Sequence, residues 1–241
     1  MKTYRIALAA LVTLQLVSCS KSGSMSSSPV PAASFTYSGA GMAPANVSFT
    51  NTSSNATSYL WDFGDNGTST EASPSHTYTK GGVYTVSLKA QGSGGNSTST
   101  KTINITAPTS VKIVAFKLDA FPLTKSNGGG WQSGSGPNIY AEVDNVVNNT
   151  VTALYKGGYY SSVSLSQLPL SWTLTSPVVV TDFTMTYQAV IYNYNALSTN
   201  DLMGGAAFKF SSIIAAGGYP STVVLQDPSS TTKIELTLQW Q

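Results

Sequence analysis

Two groups of acidic residues have types and spacings that chemistry uses. Asp62, Asp65 and His76 fall in one short stretch, and His76 is the only histidine of the chain. Two carboxylates beside an imidazole read as a metal or acid–base cluster. They also read as turn-tying side chains, because short Asp side chains commonly hydrogen-bond their own backbone. Turn-tying is the favoured reading. Glu142 and Asp144 are the other acidic pair close in sequence. Folding can also join distant carboxylates, as glycoside hydrolysis requires. Against enzymatic chemistry, no His-Glu-x-x-His occurs and no glycine-rich phosphate loop precedes a helix. The only cysteine, Cys19, follows an apolar run at the N-terminus, so no intrachain disulfide forms. The expectation is a protein that is not an enzyme, with no catalytic residues to name.

The elements around the first cluster are strands. Tyr59, Trp61 and Phe63 alternate with Leu60, Asp62 and Gly64, which places one set on one face of a strand. Gly64-Asp65-Asn66-Gly67 then supplies residues that tolerate the positive φ of a tight turn. After Gly81-Gly82 the alternation resumes in Tyr84, Val86 and Leu88. Patterned strands with an aromatic anchor predict an immunoglobulin-like sandwich with Trp61 packed between two sheets.

Three blocks occur in order: Trp61-Asp62-Phe63-Gly64-Asp65, then Pro74-x-His76-x-Tyr78, then Gly82-x-Tyr84-x-Val86-x-Leu88. This pattern resembles the polycystic-kidney-disease-type (PKD) domain over residues 32–107. The resemblance implies a seven-stranded, non-catalytic sandwich that serves as a spacer or as a protein- or sugar-contacting module of extracellular proteins. It also implies that Asp62, Asp65 and His76 tie turns together.

Composition narrows the partners. The 241 residues leave room for about two small domains. Hydrophobic residues make up 41%, enough for packed cores, while charged residues are only 9%, well below the ~25% of ordinary soluble proteins. The formal net charge is +2, with 12 basic and 10 acidic residues. Lys2 and Arg5 lie in a segment expected to be removed, which leaves a mature chain of near-zero net charge. That argues against nucleic acid as a partner, which needs a concentrated basic patch. It also argues against strong attraction to anionic lipid.

The N-terminus reads as an export signal. Lys2 and Arg5 precede an apolar run from Ile6 to Val17, and Ser18-Cys19 follows. A charged start, a short apolar core and small residues at the cut make a signal peptide. The run is shorter than the ~20 residues of a membrane span. Leu16-Val17-Ser18-Cys19 resembles the bacterial lipobox, which implies cleavage after residue 18 and lipidation of Cys19. Several acyl chains anchor a protein firmly, at ~0.8 kcal/mol per buried methylene. Residues 19–31 are rich in Ser and Pro and read as a flexible linker. Acidic residues after the lipidated Cys resemble a surface-export signal of some Bacteroidetes lipoproteins, but here Lys21 is the only charge near Cys19. The expected location is the outer membrane, lipid-anchored, facing the periplasm or the cell surface.

Pro108 breaks the last strand of the first domain. Over residues 110–241 strands are expected at 111–118, 138–143, 151–155, 171–174, 184–192, 206–211, 222–225 and 233–240, with no helix. The fold class is therefore all-β, with a second β-sandwich of eight strands. Two loops stand out, Asp119–Pro137 and Tyr192–Gly204. The latter resembles the third calcium loop of C2 domains. Asn193, Asn195 and Asp201 stand at its three acidic positions, Gly204 stands at its end, and Asn138 occupies a further possible acidic position. The resemblance implies a C2-like scaffold. Calcium prefers several carboxylates, and here one is kept, Asp201, joined by Asp119 from the other loop. Calcium binding at Asn138, Asn193, Asn195 and Asp201 is therefore expected to be weak or absent, and no other cofactor is implied. Asn193 and Asn195 also read as plain turn residues.

The expected function is a lipid-anchored envelope protein that contacts other proteins or mediates adhesion through its sandwiches. The alternative is a carbohydrate or lipid headgroup held by the second domain. Trp131, Tyr140, Tyr159, Tyr160, Tyr192 and Tyr194 can stack on sugars, although such rings more often fill a core or its rim.

Overall fold

The computed structural model describes residues 28–122, 124, 129, 136–195 and 199–241. The expected signal peptide over residues 1–18, Cys19, Lys21 and Trp131 lie outside the described residues. Two antiparallel β-sandwiches follow one another along the chain.

The first sandwich has seven strands. β1 (Phe35–Ser38), β2 (Ala45–Asn51) and β5 (Ser75–Tyr78) form one sheet. β3 (Ser58–Asp62), β4 (Thr68–Ser69), β6 (Gly82–Gly92) and β7 (Gly95–Ile105) form the other, in the order β4-β3-β6-β7. Period-two patterning decides which side chains face inward. Val47 and Phe49 from β2, Trp61 from β3, Val86 and Leu88 from β6 and Ile103 from β7 are all buried between the sheets. The Trp61 ring meets Phe35 edge-on at 5.1 Å and Phe49 at 5.4 Å. Its Nε1–H donates to the Glu71 carbonyl at 2.9 Å, so the one polar atom of the anchor is satisfied. The chain joins this domain before Phe35. Asn55 Nδ2 donates to the Val30 carbonyl and Ala32 pairs with Ser54.

The second sandwich has two four-stranded sheets. β8 (Val111–Ala120), β11 (Leu170–Val180), β14 (Thr222–Gln226) and β15 (Lys233–Trp240) form one, in the order β11-β8-β15-β14. β9 (Ile139–Val147), β10 (Thr150–Lys156), β12 (Thr186–Asn193) and β13 (Asp201–Phe208) form the other, in the order β10-β9-β12-β13. Ile113, Phe116 and Leu118 from β8 pack with Ile234, Leu236 and Leu238 from β15, and face Ile139, Ala141, Val143, Ala189 and Ile191 across the core.

Two expectations need correction. The expected strand over 206–211 begins earlier, as β13, and gives way to a helix, α1 (Phe210–Gly217). Phe210 and Ile213 are one turn apart, and the helix seats both against the core. An eight-residue helix carries too little periodic signal to stand out among short strands. The expected long loop Tyr192–Gly204 is also shorter. Tyr192 and Asn193 end β12, Asp201–Gly204 belong to β13, and the two strands pair with Asn193 opposite Asp201.

The sandwiches meet at their joint. Thr109 and Ser110 donate their backbone N–H to the Gln241 carbonyl at 2.7 and 2.9 Å. Tyr219 from the second domain packs on the core of the first and on the ring of Trp240 at 5.1 Å.

Candidate functional site

Three polar constellations were the candidates, and the folds treat them differently. In the first domain Asp62 Oδ1 accepts from the Gly64 N–H at 2.9 Å. Asp65 Oδ1 accepts from the Gly67 N–H at 3.0 Å, and its Oδ2 lies 2.7 Å from His76 Nε2. The imidazole stacks on Phe63 at 4.2 Å, and Tyr78 closes the corner by donating its hydroxyl to the Phe63 carbonyl at 2.9 Å. Burial, reinforced by the charge of Asp65, pushes the Tyr78 phenol upward. Gly64 at φ +82° and Asn66 at φ +75° take the left-handed conformations that the turn needs. The carboxylates and the imidazole hold a corner together, as the turn-tying reading requires.

The second constellation joins Asn138, Asn193, Asn195 and Asp201. Asn193 is fully buried, and its Oδ1 accepts from the Asn138 N–H at 3.0 Å. That bond fixes the amide so that Nδ2 points at Asp201 Oδ2, at 3.4 Å. Asn195 Nδ2 donates to the same carboxylate oxygen at 3.2 Å and to the Thr199 carbonyl at 3.2 Å. Asn138 Oδ1 is turned away and accepts from the Ser162 N–H. Two amide donors thus converge on one carboxylate, where a cation would need oxygens. Asp119 does not join them. It lies at the end of β8 and pairs with Lys117 at 3.3 Å, which also reaches Glu235 at 3.4 Å. Among the described residues no group of three His, Cys, Asp or Glu side chains is placed to hold a metal ion.

The third constellation is on the outer face of the β10-β9-β12-β13 sheet. Ile139, Ala141 and Val143 point into the core, so Tyr140, Glu142 and Asp144 point outward. Register sets Tyr192 opposite Tyr140, Val190 opposite Glu142 and Gln188 opposite Asp144. β10 adds Lys156 beside Glu142. The ammonium of Lys156 sits 4.5 Å above the Tyr140 ring. Tyr140 and Tyr192 stack at 5.3 Å with their planes 19° apart. The ladder continues past β12, because the Tyr194 N–H donates to the Asn138 carbonyl. Tyr194 therefore follows Tyr192 on the same face and stacks on Tyr159 at 4.9 Å. Tyr160 is not part of this face. Its ring packs on Trp172 and its hydroxyl donates to the Ser171 carbonyl.

One carboxylate of this face is short of donors. Asp144 is only 1% exposed, its Oδ2 accepts from Gln188 Nε2 at 3.2 Å, and its Oδ1 meets no N–H or hydroxyl donor. Burial raises the Asp144 carboxyl, against the lowering effect of its bonds with Gln188 and Glu142. Burial also raises Glu142, and the charge of Asp144 adds to it against the pull of Lys156. Asp227, also buried, is the opposite case. Burial works against its ionisation, but bonds from Ser229, Gly205 and Ser230 outweigh that and hold the carboxyl down at about 2.

Sequence reading singled out Glu142 and Asp144 as neighbours and the tyrosines as possible stackers. It missed Gln188 and Lys156, because cross-strand neighbours follow from register.

Residues 26–107 match the family described as the PKD domain, so the N-terminal region of this chain is a PKD domain. A 67-residue stretch is 48% identical to the pre-pro-metalloprotease PrtV of Vibrio cholerae, covering 26% of this chain and 7% of that protein. A 45-residue stretch is 51% identical to the collagenase ColA of Bacillus cereus, covering 19% of this chain and 5% of that one. The chain thus spans less than a tenth of the length of these relatives. Among solved structures, the PKD1 domain of the Vibrio cholerae metalloprotease PrtV is 41% identical, with a TM-score of 0.30, covering 32% of this chain and 98% of that one.

Proposed function

We propose that this chain is a non-enzymatic, lipid-anchored protein of the bacterial cell envelope, of the kind found in Bacteroidetes, and that it makes adhesive or binding contacts through its sandwiches. Cys19 carries the anchor on this reading, at the outer membrane. The PKD domain is the spacer, and the second sandwich, a C2-like scaffold, presents the binding surface. The observation that supports it best is the contrast between the domains. The acidic residues and histidine of the PKD motif are consumed by its turns, whereas the outer face of β9 and β12 keeps a carboxylate oxygen without an N–H or hydroxyl donor beside stacked tyrosines. The clasp of Asn193, Asn195 and Asp201 stiffens the loop end of that face, and its amides take the place of calcium.

The anchor is tested in cells grown with an alkyne-bearing fatty acid. The natural protein should take up the label and fractionate with the outer membrane, and Cys19→Ala should carry no label. A labelled Cys19→Ala protein, or an unmodified Cys19 by intact mass, would sink the anchor.

A further inference from the structure

The outer face of the β10-β9-β12-β13 sheet is a stripe with an order along its length. At one end Gln188 holds Asp144. Glu142 and Lys156 come next, as register neighbours. The Tyr140–Tyr192 stack follows, and the Tyr159–Tyr194 stack closes the far end. From Gln188 to Tyr194 is six residues of extended chain, roughly 20 Å. The floor is low, because Asp144, Tyr140 and Val190 are all buried although they point outward. On the β13 side the neighbours of Val190 and Gln188 are Gly205 and Ala207, which raise no wall. Beyond Gln188 the stripe opens into a depression of about 460 Å³ lined by Thr186, Ala207, Lys209 and Ser212.

We propose that this stripe binds an extended, uncharged polysaccharide chain; this rests on the binding role proposed above and names the ligand of that same surface. Three features carry it. The rings alternate with hydrogen-bonding groups along one line, so a chain of pyranose units can lay its apolar faces on Tyr192 and Tyr194 and its hydroxyls on Glu142, Gln188 and Lys156. Beside the rings the half-buried Glu142 and Gln188 present oxygens, since the Gln188 amide nitrogen is taken by Asp144, and such acceptors suit the O–H donors that sugars have in excess. The charges along the stripe balance, the carboxylates of Glu142 and Asp144 against the ammonium groups of Lys156 and of Lys209 at the depression, so neither an anionic nor a cationic polymer is selected. At the far end the ring of Tyr194 is half-exposed and that of Tyr159 is exposed.

The test uses the detergent-solubilised full chain in pull-downs with insoluble cellulose, xylan, mannan and β-1,3-glucan, and with alginate and chitosan beads as anionic and cationic controls. At least one neutral polymer should retain the natural protein. Tyr192→Ala and Tyr194→Ala should each weaken retention roughly tenfold, the scale of one ring contact. Tyr192→Phe, which keeps the ring, should bind like the natural protein, and this separates stacking from misfolding. Gln188→Ala should weaken binding and also lower the melting temperature, because it removes the one amide donor to the buried Asp144. Retention by none of the neutral polymers, retention by a charged polymer alone, or full binding by Tyr192→Ala and Tyr194→Ala overturns the proposal. Capture of an envelope protein in place of a glycan, lost in Tyr194→Ala, also overturns it and leaves the binding role intact.

Discussion

Asp65 and Asp144 are both carboxylates on or beside a strand of a β-sandwich, and their surroundings differ in one respect. Asp65 has a backbone N–H on one oxygen and an imidazole on the other. Asp144 has one amide donor and a second oxygen, buried, without an N–H or hydroxyl donor. The first arrangement spends its acid on the fold. In the second the acid costs the fold free energy, because burying a charge short of donors is unfavourable. The same contrast holds within the second domain, where Asp227 has donors to spare.

The comparison breaks most visibly at the anchor of the first domain. Trp61→Ala should cost about 3–5 kcal/mol, the usual range for a fully buried aromatic. It should unfold the first sandwich in a denaturant titration while strand signals of the second persist. A cost below about 1 kcal/mol would mean that the motif does not organise the core. Asp65→Asn should lose the acid that both the Gly67 N–H and His76 use, at about 1–3 kcal/mol. A neutral outcome would remove the claim that this carboxylate is consumed by the fold.

The amide clasp sharpens the comparison from the other side. In Asn193→Asp/Asn195→Asp two donors to Asp201 become carboxylates, and like charges then crowd one another. Without metal the double variant should lose about 1–2 kcal/mol. With calcium it should recover stability and show binding by titration calorimetry, since oxygens replace the amide nitrogens. Tight calcium binding by the natural protein would refute the clasp as a substitute for the ion.

The smallest effect has the opposite sign. Asp144→Asn keeps an acceptor for Gln188 and removes a buried charge, so at pH 7 the variant should be as stable as the natural protein or up to about 1 kcal/mol more so. The pH dependence follows from the direction of the shifts. Glu142 and Asp144 are raised in the folded state, so the folded chain binds their protons more tightly. Their contribution weakens as pH rises from the ordinary carboxylate range into the raised one. Asp227 works in reverse. Its stabilisation is present above about 4 and lost as pH falls towards its folded value of about 2. Asp144→Asn should flatten the upper limb of the stability curve and leave the acid limb unchanged. A steeper upper limb in the variant would show that the pair is not the group being titrated.

Much of the fold was legible in the sequence because sandwiches have a simple period. Trp61, Val86 and Leu88 sit on the buried face of alternating runs, and so do Ile234, Leu236 and Leu238. Turn residues with special backbone needs, such as Gly64 and Asn66, also announced themselves. The helix over 210–217 did not, since a short apolar run serves a strand and a buried helix turn equally well. The calcium-loop pattern named Asn193, Asn195 and Asp201, and both amides lie within hydrogen-bond reach of the carboxylate. It overstated the loop, because strand pairing extends as far as Asn193 and Asp201.

The sequence by itself determined the two sandwiches and the PKD motif with its turn-tying acids, because each is written in contiguous residues. Which face of β9 looks outward is also local, since alternation from Ile139 settles it. What stands beside that face is not local. Gln188 and Tyr192 reach Asp144 and Tyr140 only through the register of β12 on β9, and Lys156 arrives through the register of β10, shifted by the irregularity near Leu154. Slipping either pairing by one residue would send every one of these side chains to the other face of the sheet. The tertiary structure therefore decided the stripe, and with it the shortage of donors at Asp144, because long-range pairing fixes which groups share a buried neighbourhood.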